Sequence, residues 1–271
     1  MAFAGARVLI TGGGSGVGRL MALGAARKGA HVIVWDLNRQ RADSVRDQIL
    51  SLGGKASSYG VDVSDQAAVT QAAQEALAAG PVDILINNAG VVGGRYLVDE
   101  SKAAVDRTID VNTKGPIWVT QAFLPGMVNQ GRGYVVTIAS AAAILAGSKM
   151  TDYGASKAGA LRFMEALRGE MRELRTGVRT MAVCPFYIDT GMFAGVKTKV
   201  PWLLPILKPQ EVAARVLRGV ERGDQMIIMP PFVRIVPALR LLPVGVADHV
   251  ADTFGINAAM STFEGRPGDR T

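Results

Sequence analysis

Arg7-Val8-Leu9-Ile10-Thr11-Gly12-Gly13-Gly14-Ser15-Gly16-Val17-Gly18 decides the fold. Its first four residues read as a short buried strand, its glycines as a tight turn, and the apolar run Leu20, Met21, Leu23 that follows as the start of a helix. Strand, glycine turn and helix in this order form a ready anion site. Glycines let the backbone approach a pyrophosphate closely, and the first turn of the helix offers unpaired N–H groups and the positive end of its dipole. A second strand, His31-Val32-Ile33-Val34-Trp35, ends in Asp36, eighteen residues after Gly18. A carboxylate at that spacing accepts hydrogen bonds from an adenosine ribose and repels a 2′-phosphate, so it favours NAD over NADP. Arg39 argues the other way, since an arginine near this loop can receive a phosphate.

The same alternation of short apolar strands and amphipathic helices runs on to about residue 229 without a polar linker. Strands are predicted at 7–11, 31–36, 56–62, 82–87, 133–139, 178–184 and 225–229, with the longest helices near 103–130 and 152–175. The expected fold class is α/β, a Rossmann-type, doubly wound parallel sheet of seven strands with helices on both faces. One catalytic domain is expected over 1–229, with a substrate lid at about 190–210, followed by an apolar extension over 230–271 that packs on the same domain or on a partner subunit.

Tyr153-Gly154-Ala155-Ser156-Lys157 carries the chemistry. Residues four apart on a helix share a face, so phenol and ammonium address one small volume. A fixed cation nearby favours the phenolate, and lowering a phenol by two to three units from about 10 takes roughly 3 to 4 kcal/mol. Ser140, thirteen residues before Tyr153, closes a predicted strand. Alone, each of these is an ordinary helix or strand exit; their order along one chain gives them weight.

Together these residues resemble the short-chain dehydrogenase/reductase family: Thr-Gly-x-x-x-Gly-x-Gly at 11–18, Asn87-Asn88-Ala89-Gly90 after the fourth strand, and Tyr-x-x-x-Lys at 153–157. The resemblance implies a catalytic tetrad of Asn112, Ser140, Tyr153 and Lys157, in which Asn112 holds a water for proton relay from the lysine. It implies cofactor contacts from Gly12, Ser15, Gly16, Val17, Gly18 and Asp36, from Asp62 and Val63 to adenine, from Asn88, Ala89 and Gly90, and from Pro185, Ile188 and Thr190 to the nicotinamide end. Lys157 is also expected to bond the nicotinamide ribose. In the oxidative direction Tyr153 takes the hydroxyl proton of an alcohol while hydride leaves its carbon, and Ser140 orients the substrate oxygen.

Composition narrows the rest. Cys184 is the single cysteine, so there is no intramolecular disulfide, and His31 and His249 give no metal-binding signature. The chain carries a net charge of +7, but its basic residues are scattered, which argues against nucleic acid. Met1 lies six residues from the first strand, leaving no room there for a signal peptide, and the expected location is the cytoplasm.

After Thr190, Met192, Phe193, Val196 and Pro201-Trp202-Leu203-Leu204-Pro205-Ile206-Leu207 make an apolar lid suited to a hydrophobic substrate, while Lys197 and Lys199 leave an acidic substrate group open. The segment Phe232–Pro243, broken by prolines and by Arg234 and Arg240, is no spanning helix; it caps the site, packs between subunits or rests on a membrane surface, the last being disfavoured. With Lys208-Pro209 and Glu211-Val212 before the last strand, it is similar to the branch containing retinol, hydroxysteroid and long-chain alcohol dehydrogenases. The expectation is an NAD-dependent alcohol dehydrogenase or carbonyl reductase for small hydrophobic alcohols and ketones or aldehydes, working as a homodimer or homotetramer. An NADPH-dependent ketoreductase and a non-catalytic dinucleotide sensor are the alternatives.

Overall fold

The computed structural model describes residues 3–265; the ends of the two expected segments, 1–2 and 266–271, lie outside the described residues. Seven strands, β1 (Arg7–Thr11), β2 (His31–Asp36), β3 (Lys55–Gly60), β4 (Ile84–Asn87), β5 (Gly133–Ile138), β6 (Val178–Pro185) and β7 (Met226–Met229), pair in parallel in the order β3-β2-β1-β4-β5-β6-β7. The order reverses between β1 and β4, which opens a crevice at the carboxyl ends of these strands.

The strands are apolar on both sides because both sides are covered. Val8 and Ile10 of β1, with Val32 and Val34 of β2, face a layer that includes Met21 and Val45 on one side of the sheet, while Leu9, Ile33 and Trp35 face a second layer with Phe123 and Met164. The first layer is supplied by α1 (Gly16–Arg27), α2 (Arg39–Ser51) and α7 (Pro209–Arg222). The second comes from α3 (Gln66–Ala78), α5 (Gly115–Asn129) and α6 (Thr151–Glu173). Side chains cap the starts of α2 and α3: Asn38 accepts from the Arg41 amide, and Asp65 from those of Ala67 and Ala68.

The helix expected over 103–130 is broken into α4 (Lys102–Ile109), a π turn over Asp110–Lys114, and α5. Pro116 explains the break. It has no N–H, so the Asn112 carbonyl has no donor four residues on, and the chain widens by one residue there. After β7 the chain continues in 3₁₀ turns over Pro231–Leu241 and α8 (Val244–Thr253), and its apolar side chains pack with the lid: Leu204 and Val233 are buried in one cluster against Leu203, Phe232 and Ile256.

Candidate active site

A cavity of about 390 Å³ occupies the crevice at the carboxyl ends of the strands. At one end lies the glycine turn. Ser15 precedes α1 in an extended conformation without a side-chain cap, and no acidic residue sits in the helix's first turn. Ser15, Gly16 and Val17 border the cavity, so the unpaired N–H groups of the first turn face it. Gly16 adopts a φ of 52°, a left-handed conformation suited to glycine. The carboxylate of Asp36 also borders the cavity, accepting from the Gly14 amide at 2.9 Å and from the Asn38 amide at 3.0 Å. A dinucleotide fits this donor set.

Asn88 fixes the turn from behind. Its side chain donates to the carbonyls of Thr11 and Gly12 at 3.0 and 3.1 Å, while the Thr11 hydroxyl accepts from the Asn88 and Ala89 amides. Gly12, Ser15, Gly16, Val17, Asp36, Asp62, Val63, Asn88, Ala89, Gly90, Ser140, Tyr153, Lys157, Pro185, Ile188 and Thr190 all line the cavity.

Two expected site residues do not. A Cβ on Gly18 would stand 2.1 Å from the Gly12 carbonyl oxygen and 2.6 Å from Asn88 Nδ2, so Gly18 is required for the turn to pack on its helix rather than to reach a ligand. Asn112 is fully buried behind Gly90. Its amide oxygen accepts from Val91 N at 2.9 Å, and its nitrogen donates to Val91 O and to the Ser156 hydroxyl at 2.9 and 3.0 Å. These bonds engage both atoms of the side-chain amide. Ser156 in turn donates to the Tyr153 carbonyl at 2.7 Å and locks the π turn onto α6. That residue was missed, because its role depends on an asparagine 44 positions away.

At the other end of the cavity Tyr153 and Lys157 share one face of α6, with the ammonium 5.8 Å from the phenol ring's centre. Lys157 donates to the Ile138 carbonyl at 2.9 Å. Where a lowering of the phenol was expected from the ammonium, burial pushes Tyr153 up to about 12, and the Ser140 hydroxyl beside it offsets part of that. Burial also lowers Lys157 to about 8. Around the phenol the wall is apolar, formed by Leu145, Met150, Phe186, Tyr187, Met192 and Phe193, and Phe193 meets Tyr153 edge-on at 5.8 Å.

Lys197 and Lys199 do not line the cavity, so the lid brings no cation to the substrate end. Arg39 is paired with Asp43 at 2.9 Å and is likewise not part of the wall, whereas Arg41 and Arg107, which no motif marks, are. Among the described residues no group of three or more His, Cys, Asp or Glu side chains is placed to hold a metal ion, and no helix is long and apolar enough to cross a membrane.

The short chain dehydrogenase family model matches residues 6–201. The chain is a short-chain dehydrogenase/reductase. Within this family of oxidoreductases it is 37% identical over 267 residues to epidermal retinol dehydrogenase 2 of Mus musculus, covering 97% of this chain and 86% of that protein. Estradiol 17-beta-dehydrogenase 11 of Macaca fascicularis is 36% identical over 243 residues, covering 89% and 80%. A short-chain dehydrogenase/reductase from Burkholderia phymatum, solved in complex with NAD, superposes with a TM-score of 0.81 at 26% identity, covering 89% of this chain and 94% of that one. The protein therefore belongs to the retinol and hydroxysteroid dehydrogenase branch of the short-chain dehydrogenase/reductases.

Proposed function

We propose that this short-chain dehydrogenase/reductase interconverts a hydrophobic alcohol and its ketone or aldehyde with NAD(H), Tyr153 acting as the acid and base. The supporting observation is the convergence of Tyr153, Ser140 and Lys157 on the apolar end of a cavity whose opposite end presents the α1 N-terminus and Asp36. When bound, the nicotinamide supplies the hydride acceptor or donor. In reduction Tyr153 gives its phenolic proton to the carbonyl oxygen as hydride reaches the carbon; in oxidation the phenolate takes the hydroxyl proton back. A phenol held at about 12 by burial suits the acid role, and the phenolate it leaves lies near an ammonium that carries its charge below about pH 8. Ser140 orients the substrate oxygen. The relay to solvent assigned to Asn112 passes to its main-chain carbonyl, since its amide is engaged.

Asp36 favours NAD. A 2′-phosphate would set a second anion beside its carboxylate, and unit charges about 4 Å apart repel by roughly 4 kcal/mol near a protein surface. The second reading, NADPH, draws on Arg41, which borders the same end of the cavity. Initial rates over alcohols and ketones of graded size, with both cofactors in parallel, test the proposal: activity on apolar substrates with a strong preference for NAD(H) is expected. Equal or better rates with NADP(H) would overturn the cofactor assignment, and no turnover across the panel would overturn the reaction.

A further inference from the structure

The chain after β7 does more than cover the sheet. Ile256 and Ala259 line the cavity, and Ala259 and Met260 are buried in one cluster with Tyr153, Met150 and Tyr187. This stretch is seated on three separate loops, each of which carries a glycine where it passes. A Cβ on Gly94 would stand 2.1 Å from the Phe263 ring, one on Gly147 2.6 Å from the Ile256 carbonyl oxygen, and one on Gly195 2.1 Å from the Thr262 carbonyl oxygen.

Polar contacts fix the same seat. The Ser148 amide donates to the Asn257 side chain at 3.2 Å, the Lys197 amide to the Ala259 carbonyl at 3.3 Å, and the Glu264 amide to the Ala194 carbonyl at 2.8 Å. Lys149, held at a φ of 61°, directs its ammonium over the Tyr96 ring at 5.1 Å and to the Ser261 carbonyl at 3.5 Å, joining two of the loops to this segment.

We infer that residues 256–264 form the fixed end wall of the substrate chamber, and that the side chains of Ala259 and Ile256 set the largest apolar substrate admitted. This rests on the reading of the cavity as an alcohol and ketone site. Backbone-on-backbone seating leaves the wall little room to yield, so added bulk at 259 subtracts from the chamber and truncation at 256 adds to it. No charged side chain of this segment lines the cavity, so this wall suits an apolar part of the substrate.

The test is Ala259→Leu and Ile256→Ala against straight-chain and polycyclic alcohols and ketones of graded size. Each variant is followed by kcat/KM and, with NADH present, by calorimetric binding of the same series. For Ala259→Leu the size limit falls, with large substrates losing about tenfold or more and small ones losing far less. For Ile256→Ala the limit rises. NADH fluorescence titration and melting temperature identify a variant that has failed to fold, in which case the other variant decides. Uniform loss across all sizes, an unmoved limit, or absence of graded binding in the wild type overturns the inference. A wild type that binds the series with a size limit but transfers no hydride would instead defeat the proposed reaction while leaving the wall in place.

Discussion

Lys157→Met should make this protein more stable at neutral pH while removing its activity. Lys157 is 5% exposed, its ammonium has an acceptor in the Ile138 carbonyl at 2.9 Å, and burial lowers it from 10.5 to about 8. At about 1.4 kcal/mol per unit, holding that charge in place costs at most about 3 kcal/mol at pH 7. Methionine has nearly the same shape and no charge. It leaves the Ile138 carbonyl without its donor, a loss of about 1 kcal/mol or more, so a net gain of about 1 to 2 kcal/mol remains. In a chain of this size that raises the melting temperature by about 2 to 6 °C. The sign follows from a folded value below the unfolded one: the penalty is present at pH 7 and is relieved as pH rises through 8 toward 10.5. The advantage of the variant should therefore shrink by about 2 kcal/mol between pH 7 and pH 9.5. Urea unfolding of wild type and variant at both pH values, without cofactor, measures it. A variant no more stable than wild type at pH 7, or one whose advantage is the same at both pH values, would refute the burial argument.

Two further substitutions probe other parts of the site. Gly18→Ala forces a methyl against the Gly12 carbonyl and Asn88; it should cost about 1 to 3 kcal/mol of stability and weaken NADH binding measurably, by denaturant unfolding and fluorescence titration, and unchanged binding would show that the turn tolerates displacement. Glu100 Oε2 and Asp152 Oδ2 are buried without hydrogen-bond partners, 2.5 and 3.5 Å from where a Cβ of Gly93 would lie. Glu100→Gln puts a hydrogen-bond donor among these buried oxygens, so a gain of about 1 kcal/mol in urea unfolding is expected; a loss would mean that the added N–H finds no acceptor there.

The sheet was legible because its determinants are local. Every strand but the polar edge strand β3 contains a short apolar run, and the glycine turn sits between a strand and a helix within a dozen positions. Tyr153 and Lys157 were legible for the same reason, since helical spacing alone puts them on one face. What the sequence concealed depends on distant parts meeting. The rise of the Tyr153 phenol comes from burial by the lid and tail, which no local pattern reports. The π turn at Asn112 hinges on the missing N–H of Pro116, a cue that the single helix expected over 103–130 runs straight through. Ser156, Arg41 and the wall at 256–264 join segments tens to more than a hundred residues apart, and apolar periodicity in one segment does not name its partner.

The most direct test of the account is hydride transfer by Tyr153→Phe, measured under single-turnover conditions with a substrate that the wild type accepts, alongside NADH fluorescence titration of both proteins. The phenol is 4% exposed and packs edge-on against Phe193, a setting that phenylalanine fills without rearrangement. The account predicts that NADH binds as in wild type while the transfer rate falls by about two to four powers of ten, the share a positioned acid and base supplies. A variant that binds NADH and transfers hydride at close to the wild-type rate would contradict it.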